Sequence, residues 1–139
     1  MEKQLVIRKM GIEELHQESK KWISHLYFMA DEITFFDHLL NSYVFEPDTP
    51  ALFEDLQKHK DSLVESKKLC SKIMTNVVDH ENKLGGLLEI LNSTLDHAYQ
   101  TKHQQHRVEV EACLENFRRL KSGLYAYSSG ILKKRHRKN

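Results

Sequence analysis

Apolar residues recur along this chain at alternating spacings of three and four. The first run is Ile12, Leu15, Ser19, Trp22, Leu26, Met29, Ile33, Phe36, Leu40 and Tyr43, apolar or aromatic everywhere but Ser19. A strand would alternate with period two, whereas this spacing keeps every member on one helical face. The seam is continuous, as in a coiled coil. It predicts a first helix over about 10–45, stopped by Phe45-Glu46-Pro47, since Pro47 holds Glu46 in an extended conformation. Thr49 followed by Pro50 is a cap and a first-turn proline, the opening of the next helix.

The second run is Leu52, Leu56, His59, Leu63, Ser66, Cys70, Ile73, Val77, His80, Leu84, Leu87 and Leu91. It passes Gly85-Gly86 in phase. Two glycines cost roughly 2 kcal/mol against two alanines in a helix, so they compete for the turn with Asn92-Ser93-Thr94, whose side chains compete for backbone hydrogen bonds. Ser93 is placed to cap a third helix, with Asp96 favourable against its dipole. The third run is Tyr99, His103, His106, Val110, Cys113, Phe117, Leu120, Leu124, Tyr127 and Ile131. A turn at 92–94 gives helices of about 48, 61 and 56 Å, better matched than a turn at the glycines. The connections are short, so neighbours run antiparallel. The expectation is all-α: one up-down-up three-helix bundle over 1–132 (helices about 10–45, 50–91 and 95–132) and a basic tail over 133–139. Its core should hold Trp22, Leu26, Ile33, Leu63, Ile73, Val77, Phe117 and Leu120.

In that architecture the Glu32-to-Leu40 stretch, the His80-Glu81 pair, and the Leu120-Lys121 and Leu124-Tyr125 pairs resemble those of a group of small bacterial coiled-coil proteins with no assigned function. The resemblance spans most of the chain. It implies a helical bundle and no particular chemistry.

Composition narrows the class. The chain has 139 residues, 40% hydrophobic and 29% charged, with 5 Gly, 2 Pro and 2 Cys. That excludes collagen-like, disulfide-dense and membrane-spanning classes. Cys70 and Cys113 fall on the helix seams and form no CxxC motif, which suits a reducing cytoplasm. Met1 to Met10 holds charges around only three consecutive apolar residues, too few for a signal-peptide core. The net charge of +1 hides an asymmetry: Lys133, Lys134, Arg135, Arg137 and Lys138 carry five of the 21 basic charges, leaving 16 against 20 acidic ones, or −4, over the rest. This tail is a candidate anion-binding segment for nucleic-acid or lipid phosphates, although it has no interleaved aromatics.

Enzyme motifs are missing. Gly85-Gly86 is no phosphate loop, because no Lys-Ser/Thr follows it, and Ser128-Ser129-Gly130 is no nucleophile elbow. Nine histidines are the unusual feature. Antiparallel pairing sets residues of helices 1 and 2 opposite at sums near 94–98, and of helices 2 and 3 near 186. His16, His80, His103 and His106 then share one level, with Glu13 and Glu81 nearby. Imidazoles and a carboxylate at one level are a candidate transition-metal site. The same placement also describes a polar layer that sets register. The pattern lacks the paired Glu-x-x-His motifs of di-iron bundles. A second polar layer joins His59, Tyr127 and the Asp37–His38 region. Finally, Tyr27, Phe28, Phe35 and Leu39 form an apolar stripe off the main seam of helix 1, a candidate interface. The function expected is non-enzymatic, through contact with itself as a homodimer or with another helical protein. The alternative is a metal-binding bundle.

Overall fold

The computed structural model describes the backbone of residues 11–42, 46–89 and 93–138, and the side chains of those residues outside 85–96 and 133–138. The chain forms three helices, α1 (Ile12–Leu40), α2 (Pro50–Glu89) and α3 (Ser93–Lys138), each packed on the other two, and no strand occurs among the described residues. Cross-helix contacts fix the directions. Leu26 and Cys70, and His16 and Glu81, pair α1 with α2 at nearly constant residue sums. Glu18 with Arg107, Glu32 with Lys121 and Phe36 with Tyr125 pair α1 with α3 at a constant offset. Thus α2 runs against the other two helices, and α1 and α3 run parallel. This is the expected all-α three-helix bundle.

Local chemistry sets the ends. Gly11 is extended and caps α1, its N–H 3.5 Å from Oε1 of Glu14. The helix stops at Leu40, one turn short of the expected 45. Asn41 and Ser42 explain this: Asn41 Nδ2 donates to the Asp37 carbonyl at 2.7 Å, and Ser42 Oγ donates to that of Leu39 at 2.9 Å. These bonds satisfy the last carbonyls without a further turn. Thr49 Oγ1 accepts from the Leu52 N–H at 3.1 Å, so the predicted cap of α2 forms. Helix α2 runs through Gly85-Gly86 to Glu89. Helix α3 begins at Ser93, inside the turn expected at 92–94; residues 90–92 lie outside the described residues, as do the side chains of Leu87, Leu91, Ser93 and Asp96. The length match that located it was inexact. Helix α1 has 29 residues and α3 has 46, and α3 continues to Lys138, past the expected end at 132.

The seams meet in a core of Trp22, Leu26, Met29, Ile33, Phe36 and Leu40 from α1, Leu56, Leu63, Cys70, Ile73 and Val77 from α2, and Val110, Cys113, Phe117 and Leu124 from α3. Leu120, expected in the centre, packs only partly buried against this core. Its place on the inner face passes to the neighbouring register of Phe117 and Leu124. A second, smaller cluster joins Leu15, Leu84 and Tyr99. It lies at the end of the bundle where α2 finishes and α3 begins. Two buried imidazoles, His80 and His103, pack between the clusters: His80 stacks on Tyr99, and His103 stacks on Trp22.

Candidate functional site

The helix seams carry His80 and His103 inward because both replace an apolar residue in the three-four pattern. His80 Nε2 lies 2.8 Å from His103 Nδ1, and both side chains are buried. The opposite nitrogen of His103, Nε2, lies 2.8 Å from Glu18 Oε1. The same oxygen accepts from Arg107 through Nε at 3.0 Å and through Nη2. Burial alone would raise the Glu18 carboxyl. The hydrogen bonds and charges of Arg107 and His103 outweigh it, so Glu18 is lowered and holds its charge. An ionised Glu18 accepts only, which makes His103 Nε2 the donor and leaves Nδ1 of the neutral ring as acceptor. His80 Nε2 must then carry the proton between the two rings. The result is a directed chain, His80 to His103 to Glu18, with Arg107 donating from the other side.

Burial pushes all three clustered imidazoles towards neutrality. His80 falls to about 3 through desolvation, with His103, His106, Lys83 and Lys102 adding repulsion. His103 falls through desolvation, opposed by Glu18. His106 falls through desolvation, opposed by Glu109. His80 is stacked 4.0 Å from Tyr99, and His106 lies 4.7 Å from His80 between ring centroids. Desolvation, then the charge of Glu81, raises the Tyr99 hydroxyl.

The four histidines singled out from the sequence therefore divide. His80, His103 and His106 come together. His16 is partly exposed and pairs with Glu81, and Glu13 accepts instead from Gln17 at 3.0 Å. Among the described residues, no three His, Cys, Asp or Glu side chains are placed to share an ion. Both nitrogens of His103 are engaged by hydrogen bonds. Glu18 and Arg107 escaped the sequence reading, which followed only the seam. A detectable signal existed: Glu18 and Glu32 lie two heptads apart, as do Arg107 and Lys121, and the two acid–base pairs share one offset between α1 and α3. The second polar layer forms in part, with His59 and Tyr127 ring centroids 5.0 Å apart, while Asp37 and His38 are exposed.

The stripe on α1 also divides. Phe28 and Phe35 are 65% and 58% exposed. Phe28 borders an open groove of about 620 Å³ with Ser24, His25, Leu114, Phe117 and Arg118. Further along, Phe35 meets Phe36, which meets Tyr125 of α3, itself 57% exposed. The Glu32–Lys121 pair, 3.0 Å apart, lies between. Tyr27 instead borders the α1–α2 groove beside Lys67, Ser71 and Met74. Leu39 is half-buried against the core. The side chains of Lys133, Lys134, Arg135, Arg137 and Lys138 lie outside the described residues. No described helix is long and apolar enough to cross a membrane. A search of protein-family models, curated proteins and solved structures finds no match to this chain.

Proposed function

We propose that this protein is a non-enzymatic helical bundle that works by protein–protein contact, with self-association as its mode. The observation that carries this reading is the line of exposed rings, Phe28, Phe35 and Tyr125, along the α1–α3 side. A single exposed aromatic needs no explanation, but aligned rings dominate interface energetics. The buried polar cluster supports a structural part for the histidines, since His103 spends both nitrogens on neighbouring side chains. The two free, buried cysteines suit a reducing compartment.

Sedimentation of the wild-type chain and of a Phe28→Glu, Phe35→Glu double variant tests the proposal. The expected result is a wild-type dimer and a folded, helical monomer for the variant. A wild type that stays monomeric at all concentrations, or a variant that unfolds as a monomer, refutes it.

A further inference from the structure

The sulfur-bearing side chains among the described residues, Met29, Cys70, Met74 and Cys113, all pack in or against the main core. Their register brings three of them together. His80 of α2 meets His103 of α3, with nitrogens 2.8 Å apart. From that contact the seams step by three, four and three residues in opposite directions, through Val77, Ile73 and Cys70 on α2 and His106, Val110 and Cys113 on α3. Equal steps on antiparallel helices preserve the pairing, so Cys70 stands opposite Cys113 at the same residue sum as the touching histidines. Burial, and then the charge of Cys70, raises the Cys113 thiol, so the two sulfurs feel each other.

Helix α1 closes the layer. Cys113 Sγ lies 3.8 Å from Met29 Sδ, and Cys70 Sγ donates at 3.4 Å to the carbonyl of Leu26, one turn away on the same face as Met29. Each helix thus brings one sulfur to one level: two thiols and a thioether. Such donors select soft ions, Cu(I) above all, over oxygen-seeking Mg, Ca or Mn. A metal–sulfur bond of about 2.3 Å in a trigonal plane sets its sulfurs about 4.0 Å apart. The Cys113–Met29 separation is already close to that, so an ion fits among the sulfurs without a separate cavity. Zinc fits less well, because it takes four ligands and no third His, Cys, Asp or Glu among the described residues joins the pair. Cys70 and Met74 both border the α1–α2 groove, about 340 Å³ in volume, which gives an ion its way in.

We infer that Met29, Cys70 and Cys113 form a site for one Cu(I) ion, entered from the α1–α2 groove past Met74. On binding, both S–H bonds break and two Cu–S bonds form. The two protons leave to solvent, and the Met29 thioether adds a lone pair. Copper stays Cu(I) and no sulfur is oxidised. Burial keeps both thiols protonated without the metal, so affinity falls about a hundredfold for each pH unit lowered, two protons being released per ion.

Anaerobic titration of the reduced full chain with Cu(I), in competition with a chromogenic Cu(I) chelator, tests the site. X-ray absorption at the copper edge identifies the ligands. The expected result is one Cu(I) per chain with three sulfur neighbours and no nitrogen, the stated pH dependence, and a melting temperature raised by copper because the native chain binds it. Met29→Leu conserves volume and should keep its helicity, bind about tenfold more weakly and show two sulfur neighbours. Cys70→Ala and Cys113→Ala should each weaken binding at least a hundredfold. Absence of binding, nitrogen ligands, a pH-independent affinity, or a melting temperature lowered by copper overturns the site, as does undiminished binding by either cysteine variant. A Met29→Leu protein that keeps three sulfur neighbours overturns the three-helix layer. If a cysteine variant loses its helices, the wild-type and Met29→Leu absorption spectra decide.

Discussion

Acidification should unlock the imidazole end of the bundle, because its buried histidines resist protonation. His80 is 3% exposed, and its imidazole is held down to about 3, against about 6.5 in an unfolded chain. The folded state therefore resists a proton that the unfolded state accepts. The stabilisation is intact above pH 6.5 and is lost as pH falls below it. Between pH 7 and 5 the unfolded form gains about 25-fold from this one residue, or about 2 kcal/mol. His103 and His106 are lowered in the same direction and add to the loss. Glu18, also lowered, adds a further loss only below its ordinary range near 4.5. Urea denaturation at pH 7, 6 and 5 measures the effect, and Trp22 fluorescence reports on it directly because its ring stacks 4.5 Å from that of His103. The expected midpoint falls steadily across this range. A midpoint unchanged from pH 7 to 5, or one that rises, would refute the buried neutral pair. A His80→Gln variant should show a shallower slope even if it is less stable at pH 7.

Two further outcomes follow from burial and bonding. Leu124→Ala should cost about 2–5 kcal/mol in denaturant unfolding, since Leu124 is fully buried, whereas Leu120→Ala should cost roughly half that because Leu120 only borders the core; equal losses would show that the two occupy equivalent places. Adding a chelator should leave the melting temperature unchanged, because His103 already spends both nitrogens on His80 and Glu18; a drop that His80→Ala abolishes would identify a bound metal instead.

The three-four spacing made the fold legible because packing demands a single buried stripe, and that stripe is written in residue type. The pairing of His80 with His106, and of His59 with Tyr127, followed from residue sums alone. The failures have different causes. The early end of α1 depends on two side chains, Asn41 and Ser42, choosing carbonyl partners, which periodicity does not register. Glu18 and Arg107 lie beside the seam rather than on it, so a reading of core positions passes over them. The division of the α1 stripe into Phe28 on the α1–α3 groove, an exposed Phe35, Tyr27 on the α1–α2 groove and a tucked Leu39 depends on how far the helix is rotated, and a difference of a few tens of degrees moves a ring from one groove to the other.

The polar end also buries polar groups with little apolar material around them. Among the described residues, Glu81 Oε2 and His106 Nδ1 are buried there without a hydrogen-bond partner, as are the Tyr127 and Ser128 hydroxyls towards the other end, each at a cost of about 1–3 kcal/mol. Its apolar support is the small Leu15–Leu84–Tyr99 cluster. Local opening should therefore begin at this end, ahead of the main core.

Cys70 and Cys113 sit in that main core, one with its thiol 3.4 Å from the Leu26 carbonyl and the other with its thiol 3.8 Å from the Met29 sulfur. Burial raises the Cys70 thiol and pushes that of Cys113 up to about 11, so neither is a thiolate in the closed bundle. An alkylating reagent can react only when the helices separate. The rate at which the protein consumes such a reagent is thus a clock for core opening, built into adjoining helices and needing no introduced label. If acidification opens the histidine end while that clock, referred to the alkylation rate of the unfolded chain at the same pH, stays unchanged, the bundle breathes at one end with its centre shut. If the two accelerate together, the three helices part as a single unit.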